Sequence, residues 1–129
     1  MFHNFRYNHI PALLLAAALC YPSIAAVFLS PSVVLTSYGF PPHIANSEGT
    51  WVVDAAANAR MLCLGGLMFC FYRRGDYRVL DTFLASASTI GIVECIALWD
   101  IGNRTILVLR FVVLFVFSVL GAAQTTELP

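Results

Sequence analysis

The sequence predicts an all-α fold, a four-helix transmembrane bundle forming one integral membrane domain over residues 1–129. Of these residues 60 % are hydrophobic and only 11 % charged, and the mean hydropathy is +0.81, outside the range of ordinary soluble domains. The apolar residues gather into four runs, at about 10–29, 51–72, 79–99 and 104–121. Each approaches the roughly 20 residues a helix needs to cross the hydrocarbon core. With their short connections they use nearly the whole chain.

The first run, Ile10–Leu29, follows a polar and aromatic stretch in which Arg6 is the only fixed charge. A basic residue, an apolar core and the small residues Ser23, Ala25 and Ala26 also fit a secretory signal peptide. The run continues past Pro22 to Leu29, longer than the apolar part of such a signal, so a retained first helix is expected. Pro22 removes one helical hydrogen bond and crowds the preceding turn, which predicts a kink, and Pro31 predicts the helix end.

Residues 32–50 carry turn chemistry in Gly39, Pro41, Pro42 and the Asn46-Ser47-Glu48-Gly49 cluster. They predict an interfacial loop, a lid over the helix ends, held by Val33, Val34, Leu35, Tyr38 and Phe40. His43 belongs to it.

In the second run Ala55, Ala59, Cys63, Gly66 and Cys70 recur at helical spacing. Small residues let membrane helices approach closely, so this face is expected against a neighbour. The third run has a comparable stripe in Leu84, Ala87, Gly91 and Glu94, which aims Glu94 into the bundle; its Ser86, Ser88 and Thr89 are expected to bond back to their own helix. The fourth run is bulky apart from Arg110, which shares a face with Asn103, Ile106, Val113 and Phe117. Arg6, Arg73, Arg74 and Arg78 flank one side and Arg104 the other, predicting that both termini are cytoplasmic. The acceptor tripeptide Asn103-Arg104-Thr105 then lies at the opposite membrane surface and is expected to stay unmodified.

Seven arginines balance seven acidic residues, which excludes a nucleic-acid footprint, because phosphate binding requires a net positive face. The cysteines Cys20, Cys63, Cys70 and Cys95 lie in apolar runs and read as packing residues. No metal-ligand spacing and no nucleotide loop is visible, so neither metal nor cofactor is expected.

Counting along the helices places Asp54, Arg60, Glu94, Asp100, Arg104 and Arg110 in the non-cytoplasmic half, with Asn58, Asn103 and His43 within reach. An ionisable group in a span costs about 2.5–3.5 kcal/mol on insertion scales and therefore faces protein or a wet cavity. The convergence predicts a polar pocket roofed by residues 32–50. Glu94 is the candidate catalytic acid, since a carboxyl enclosed by apolar groups can serve as a general acid. Arg60 and Arg110 are its candidate catalytic partners, positioning substrate or opposing Glu94's retention of a proton. Asp54, Asn58, Asp100 and His43 are the candidate binding residues. The structural alternative is that Glu94, Arg60 and Arg110 pair to fix helix register. Arg73 and Arg74 read most simply as a topology anchor at an anionic leaflet.

Three short motifs resemble a known family. Pro31 is followed after eight residues by the turn Gly39-Phe40-Pro41; the second run contains Asn-Ala-Arg-Met-Leu-Cys-Leu-Gly-Gly from Asn58 to Gly66; a short charged turn follows at Arg74-Gly75-Asp76. Over about residues 25–122 the chain resembles a family of small four-helix integral membrane proteins carrying a domain-of-unknown-function label, found in bacteria and filamentous fungi. That family commonly has an acidic residue after its second-span arginine, where Met61 stands here. Fungal proteins of this kind often sit in clusters for lipophilic natural products. The family has no settled activity. By analogy with that setting, and because a polar pocket without a redox centre, metal cluster or nucleotide loop leaves proton transfer within reach, an isomerase or cyclase acting on a terpenoid- or polyketide-type molecule in secondary metabolism, by acid–base chemistry without a cofactor, is expected. The competing expectation is a non-catalytic accessory or scaffold for a biosynthetic enzyme, or a lipid or metabolite carrier. The expected partners are the lipid bilayer, a lipophilic small molecule, and other membrane enzymes or a homo-oligomer. A eukaryotic source would place the protein in the endoplasmic-reticulum membrane.

Overall fold

The computed structural model describes residues 5–126. A single 3-10 turn, Tyr7–His9, leads into α1 (Ile10–Phe28), followed by α2 (Pro31–Ser37), α3 (Pro42–Ala45), α4 (Glu48–Arg74), α5 (Tyr77–Leu98) and α6 (Arg104–Ala122). No strand occurs among the described residues. Four helical segments, Tyr7–Phe28, Glu48–Arg74, Tyr77–Leu98 and Arg104–Ala122, are long and apolar enough to cross a membrane.

Local chemistry sets the breaks between helices. Pro31 and Pro42 stand at the first positions of α2 and α3, where a missing N–H breaks no helical bond and the fixed φ already suits the helix. Pro31 thus opens α2 rather than closing α1, which already ends at Phe28. The expected loop is two short helices, and its last three residues, Glu48 to Thr50, form the start of α4. At the far end of α4, Gly75 takes φ +79 and donates to Tyr72, while Asp76 N–H donates to Phe71. A left-handed glycine at this place ends a helix at little cost and lets the chain reverse into α5.

The long helices form two antiparallel pairs, α1 with α4 and α5 with α6, which touch each other far less than their members do. Gly65 and Gly121 make the pairs tight. A Cβ on Gly65 would lie 2.7 Å from the Ala16 carbonyl oxygen, and one on Gly121 would collide with the α5 backbone at Asp81 and Ala85. Ser118 on α6 adds hydrogen bonds to the Ala85 carbonyl at 2.5 Å and to Ser88 at 3.1 Å. Ser86 and Thr89 instead bond back along α5.

The small-residue stripe foreseen on the second span is not the buried face. Ala55, Ala59, Cys63 and Cys70 are exposed, and a Cβ on Gly66 would meet nothing within 4 Å. Instead α4 buries Asn58, Gly65, Met68 and Tyr72. Adjacent residues differ by about 100° around a helix, so whether Gly65 or Gly66 meets a neighbour depends on where α1 docks. It docks along Gly65, with Ala16 and Cys20 opposite. The third-span stripe does face inward: Leu84, Ala87 and Gly91 are buried.

Where α4 turns into α5, a core of Ala12, Leu15, Ala16, Met68, Tyr72, Leu80, Leu84 and Ala87 joins the two pairs. Buried His9 meets the Tyr72 hydroxyl at 3.3 Å and stacks on Tyr77 with centroids 4.5 Å apart. Asp81, also buried, accepts the Thr126 N–H at 3.0 Å. Away from this core the two pairs leave a cavity between them, which Tyr38 and Phe40 line from the connection between α2 and α3.

Candidate functional site

The gap between the helix pairs is a cavity of about 460 Å³, within the ~300–1,000 Å³ usual for small-molecule sites. Its wall is apolar at the bundle centre, where Leu15, Met61, Ile90 and Phe117 form a floor. Its polar residues, Asp54, Asn58, Glu94, Arg110 and Tyr38, lie nearer the end where the connection between α2 and α3 contributes Tyr38 and Phe40.

Helix geometry explains this grouping. Asp54 and Asn58 are one turn apart on α4 and share a face; the Asn58 amide donates to Asp54 Oδ2 at 2.8 Å. The Asn58 carbonyl accepts the Ser23 hydroxyl at 2.7 Å, tying the α4 face to α1. On α5, Gly91 admits the Phe111 ring of α6, where a Cβ on residue 91 would fall 3.1 Å from Phe111 Cδ2. One turn beyond Gly91, that close approach brings Glu94 Oε1 within 2.8 Å of Arg110 Nη2. Both side chains are about three-quarters buried. The other carboxylate oxygen, Oε2, is buried without a hydrogen-bond partner among the described residues.

The roof completes the site. The Arg110 guanidinium lies 4.4 Å from the Tyr38 ring centroid, a cation–π contact that holds its plane. Burial pushes the Tyr38 hydroxyl up to about 12, although Arg110 pulls the other way, so near neutral pH it remains a neutral phenol. Gly39 follows in the left-handed region at φ +91, and its carbonyl accepts the Asn103 N–H at 2.9 Å. Asn103 Oδ1 in turn accepts from the N–H groups of Thr105 and Ile106, capping α6. Residue 103 therefore fixes both the start of α6 and the position of the roof, and the acceptor tripeptide lies on a helix cap.

Of the sequence-derived candidates, Glu94, Arg110, Asp54 and Asn58 line one cavity. Arg60 does not: it is exposed, two residues past Asn58 and so roughly 200° around α4 from it. His43 is exposed on α3, and Asp100 is exposed in the turn after α5, two residues beyond the lining residue Leu98. Arg104 also faces outward, over the Trp99 ring at 5.4 Å. The expected convergence of three acidic and three basic groups is thus corrected to Asp54, Glu94 and Arg110. Cys63 and Cys70, read as packing residues, are exposed as well. Tyr38 is the site residue the candidates lacked; its signal was an aromatic beside a turn glycine in the lid segment.

A family described as a domain of unknown function (DUF4267) matches residues 16–124. The chain belongs to this family. DUF4267 begins within α1 and ends just past α6, so it contains every residue of the cavity wall except Leu15. The lid, the ion pair and both helix pairs are parts of one family unit. No curated protein and no solved structure matches the chain.

Proposed function

We propose that the protein is a membrane-embedded isomerase or cyclase that holds a lipophilic small molecule, of terpenoid or polyketide type, between its helix pairs and moves a proton on it with Glu94. The observation that supports this reading is an apolar cavity whose polar end holds an ion pair with one carboxylate oxygen unengaged. Arg110 orients the Glu94 carboxyl through Oε1, and Tyr38 in turn holds the guanidinium. In isomerisation Glu94 takes a proton from one substrate carbon while a double bond shifts, then returns it to another. The atoms balance without a co-reactant. Arg110 donors stabilise charge developing on a substrate oxygen, an electrostatic effect that gains strength where water is scarce.

We assign both termini to the cytoplasmic side, from the arginine bias, so the cavity lies in the other leaflet. In a eukaryotic cell the endoplasmic-reticulum membrane is the compartment that fits, with secondary metabolism as the setting and a biosynthetic membrane enzyme or a second copy as neighbour. The deciding experiment is a metabolite profile, by liquid chromatography and mass spectrometry, of cells lacking the protein and complemented with wild type or Glu94→Gln at matched levels. General acid–base groups contribute about a hundred- to ten-thousand-fold; the substituted strain should therefore accumulate the same lipophilic intermediate as the deletion and lack a product of equal mass. A normal profile with Glu94→Gln removes the catalytic role.

A second reading is favoured by the ion pair itself, which joins α5 to α6 and would serve a non-catalytic scaffold or carrier by fixing their register. Exchanging the charges, Glu94→Arg with Arg110→Glu, separates the two. A scaffold keeps its function when the pair is restored in reverse, whereas a catalyst does not.

A further inference from the structure

The cavity holds more carboxylates than cations. Asp54 and Glu94 bring two carboxylates against the single guanidinium of Arg110, a formal excess of one negative charge in an apolar wall. Arg60 and Arg104, the other arginines of this half, are exposed and line no part of the cavity. Glu94 Oε2 is enclosed without a donor among the described residues. Pro22 has no N–H to offer the Ala18 carbonyl one turn earlier, and both residues line the same cavity. Of the lining donors, Asn58 gives to Asp54 and one Arg110 N–H gives to Glu94 Oε1, and neither these nor the Tyr38 hydroxyl reaches Glu94 Oε2.

We infer that the ligand of this cavity carries a hydrogen-bond donor head, an amine or a hydroxyl, at the Asp54–Glu94 end and an apolar body on the Leu15–Phe117 floor, and that it is not a fatty acid or other anionic amphiphile. The inference rests on the cavity being a ligand site, as proposed above. A donor head satisfies Glu94 Oε2, and satisfying a buried acceptor is worth more than adding one bond, because leaving it unpaired carries the full desolvation penalty. A carboxylate or phosphate head adds like charge beside a largely apolar wall, where repulsion is stronger than in bulk water.

The test uses the full chain in nanodiscs of zwitterionic lipid and three photoreactive alkyl probes of equal length, ending in a primary ammonium, a hydroxyl or a carboxylate. Crosslinked peptides are mapped by mass spectrometry. The ammonium or the hydroxyl probe should label cavity residues of α4, α5 and α6, and the stronger of the two identifies the donor. The carboxylate probe should label them about tenfold less, the scale of one charge-assisted hydrogen bond. Asp54→Asn removes the excess charge and should narrow that gap; Glu94→Gln provides the same readout should Asp54→Asn fail to fold. Ala57→Trp, which fills the cavity from the α4 wall, should abolish labelling by all three. Carboxylate labelling equal to or above the donor probes, or a gap unchanged in the charge-neutral variant, overturns the inference while leaving the cavity as a binding site. Absence of cavity labelling by every probe rejects the site itself.

Discussion

The Glu94–Arg110 pair yields the sharpest energetic prediction, because it connects two helices through one bond. The contact is a single 2.8 Å hydrogen bond between ionisable groups, with side chains 25 % and 28 % exposed. Hydrogen bonds to charged groups contribute about 1.5–3 kcal/mol, whereas polar contacts between membrane helices average ~0.6 and reach ~1.7 kcal/mol, since the unfolded chain in the bilayer also finds partners. The short distance and the cation–π support from Tyr38 place this pair at the upper part of the membrane range. The expected coupling is therefore about 1.5 kcal/mol. A double-mutant cycle with Glu94→Leu, Arg110→Leu and the double variant measures it through unfolding in mixed detergent micelles. Arg110→Leu should destabilise more than the double variant, because it leaves the Glu94 carboxylate in an apolar wall with neither oxygen paired. A coupling below about 0.3 kcal/mol, well under that membrane average, would refute the pair as a link between α5 and α6. It would also remove the device that orients Glu94 toward the cavity.

Two further substitutions probe the packing and the roof. Gly65→Val should destabilise by about 1–3 kcal/mol, the usual cost of overpacking, because its Cβ meets the fixed Ala16 backbone; Gly66→Ala, one residue on, should be neutral or stabilising by up to ~1 kcal/mol through helix propensity alone. The same unfolding assay reads both, and the reverse order would place α1 on the wrong face of α4. Tyr38→Ala should lower product formation in the complemented strain by more than Tyr38→Phe, which keeps the ring under Arg110; equal losses would assign the effect to the hydroxyl rather than to the cation–π contact.

What the sequence alone determined is what depends on neighbours along the chain. Length and hydropathy define four helices able to cross a bilayer, and local chemistry sets the end of α4 at Gly75 and the start of α6 at Asn103, each acting within a turn of its own position, whereas Pro31 opens α2 and does not close α1. The inward face of α5 was also legible, since Leu84, Ala87, Gly91 and Glu94 recur at helical spacing along it. Asp54 and Asn58 fell together because one turn separates them. The tertiary structure alone decided what depends on how helices dock. Gly65 and Gly66 are chemically identical, and only the approach of α1 makes one a contact and leaves the other open. Arg60 had every attribute of a pocket residue except direction, which the rotation of α4 about its axis sets. Tyr38 joins the site because the Gly39 carbonyl docks on Asn103, a pairing across 64 positions in sequence that no local spacing encodes. Periodicity identifies a face of a helix, but the partner that the face meets is a long-range property of packing.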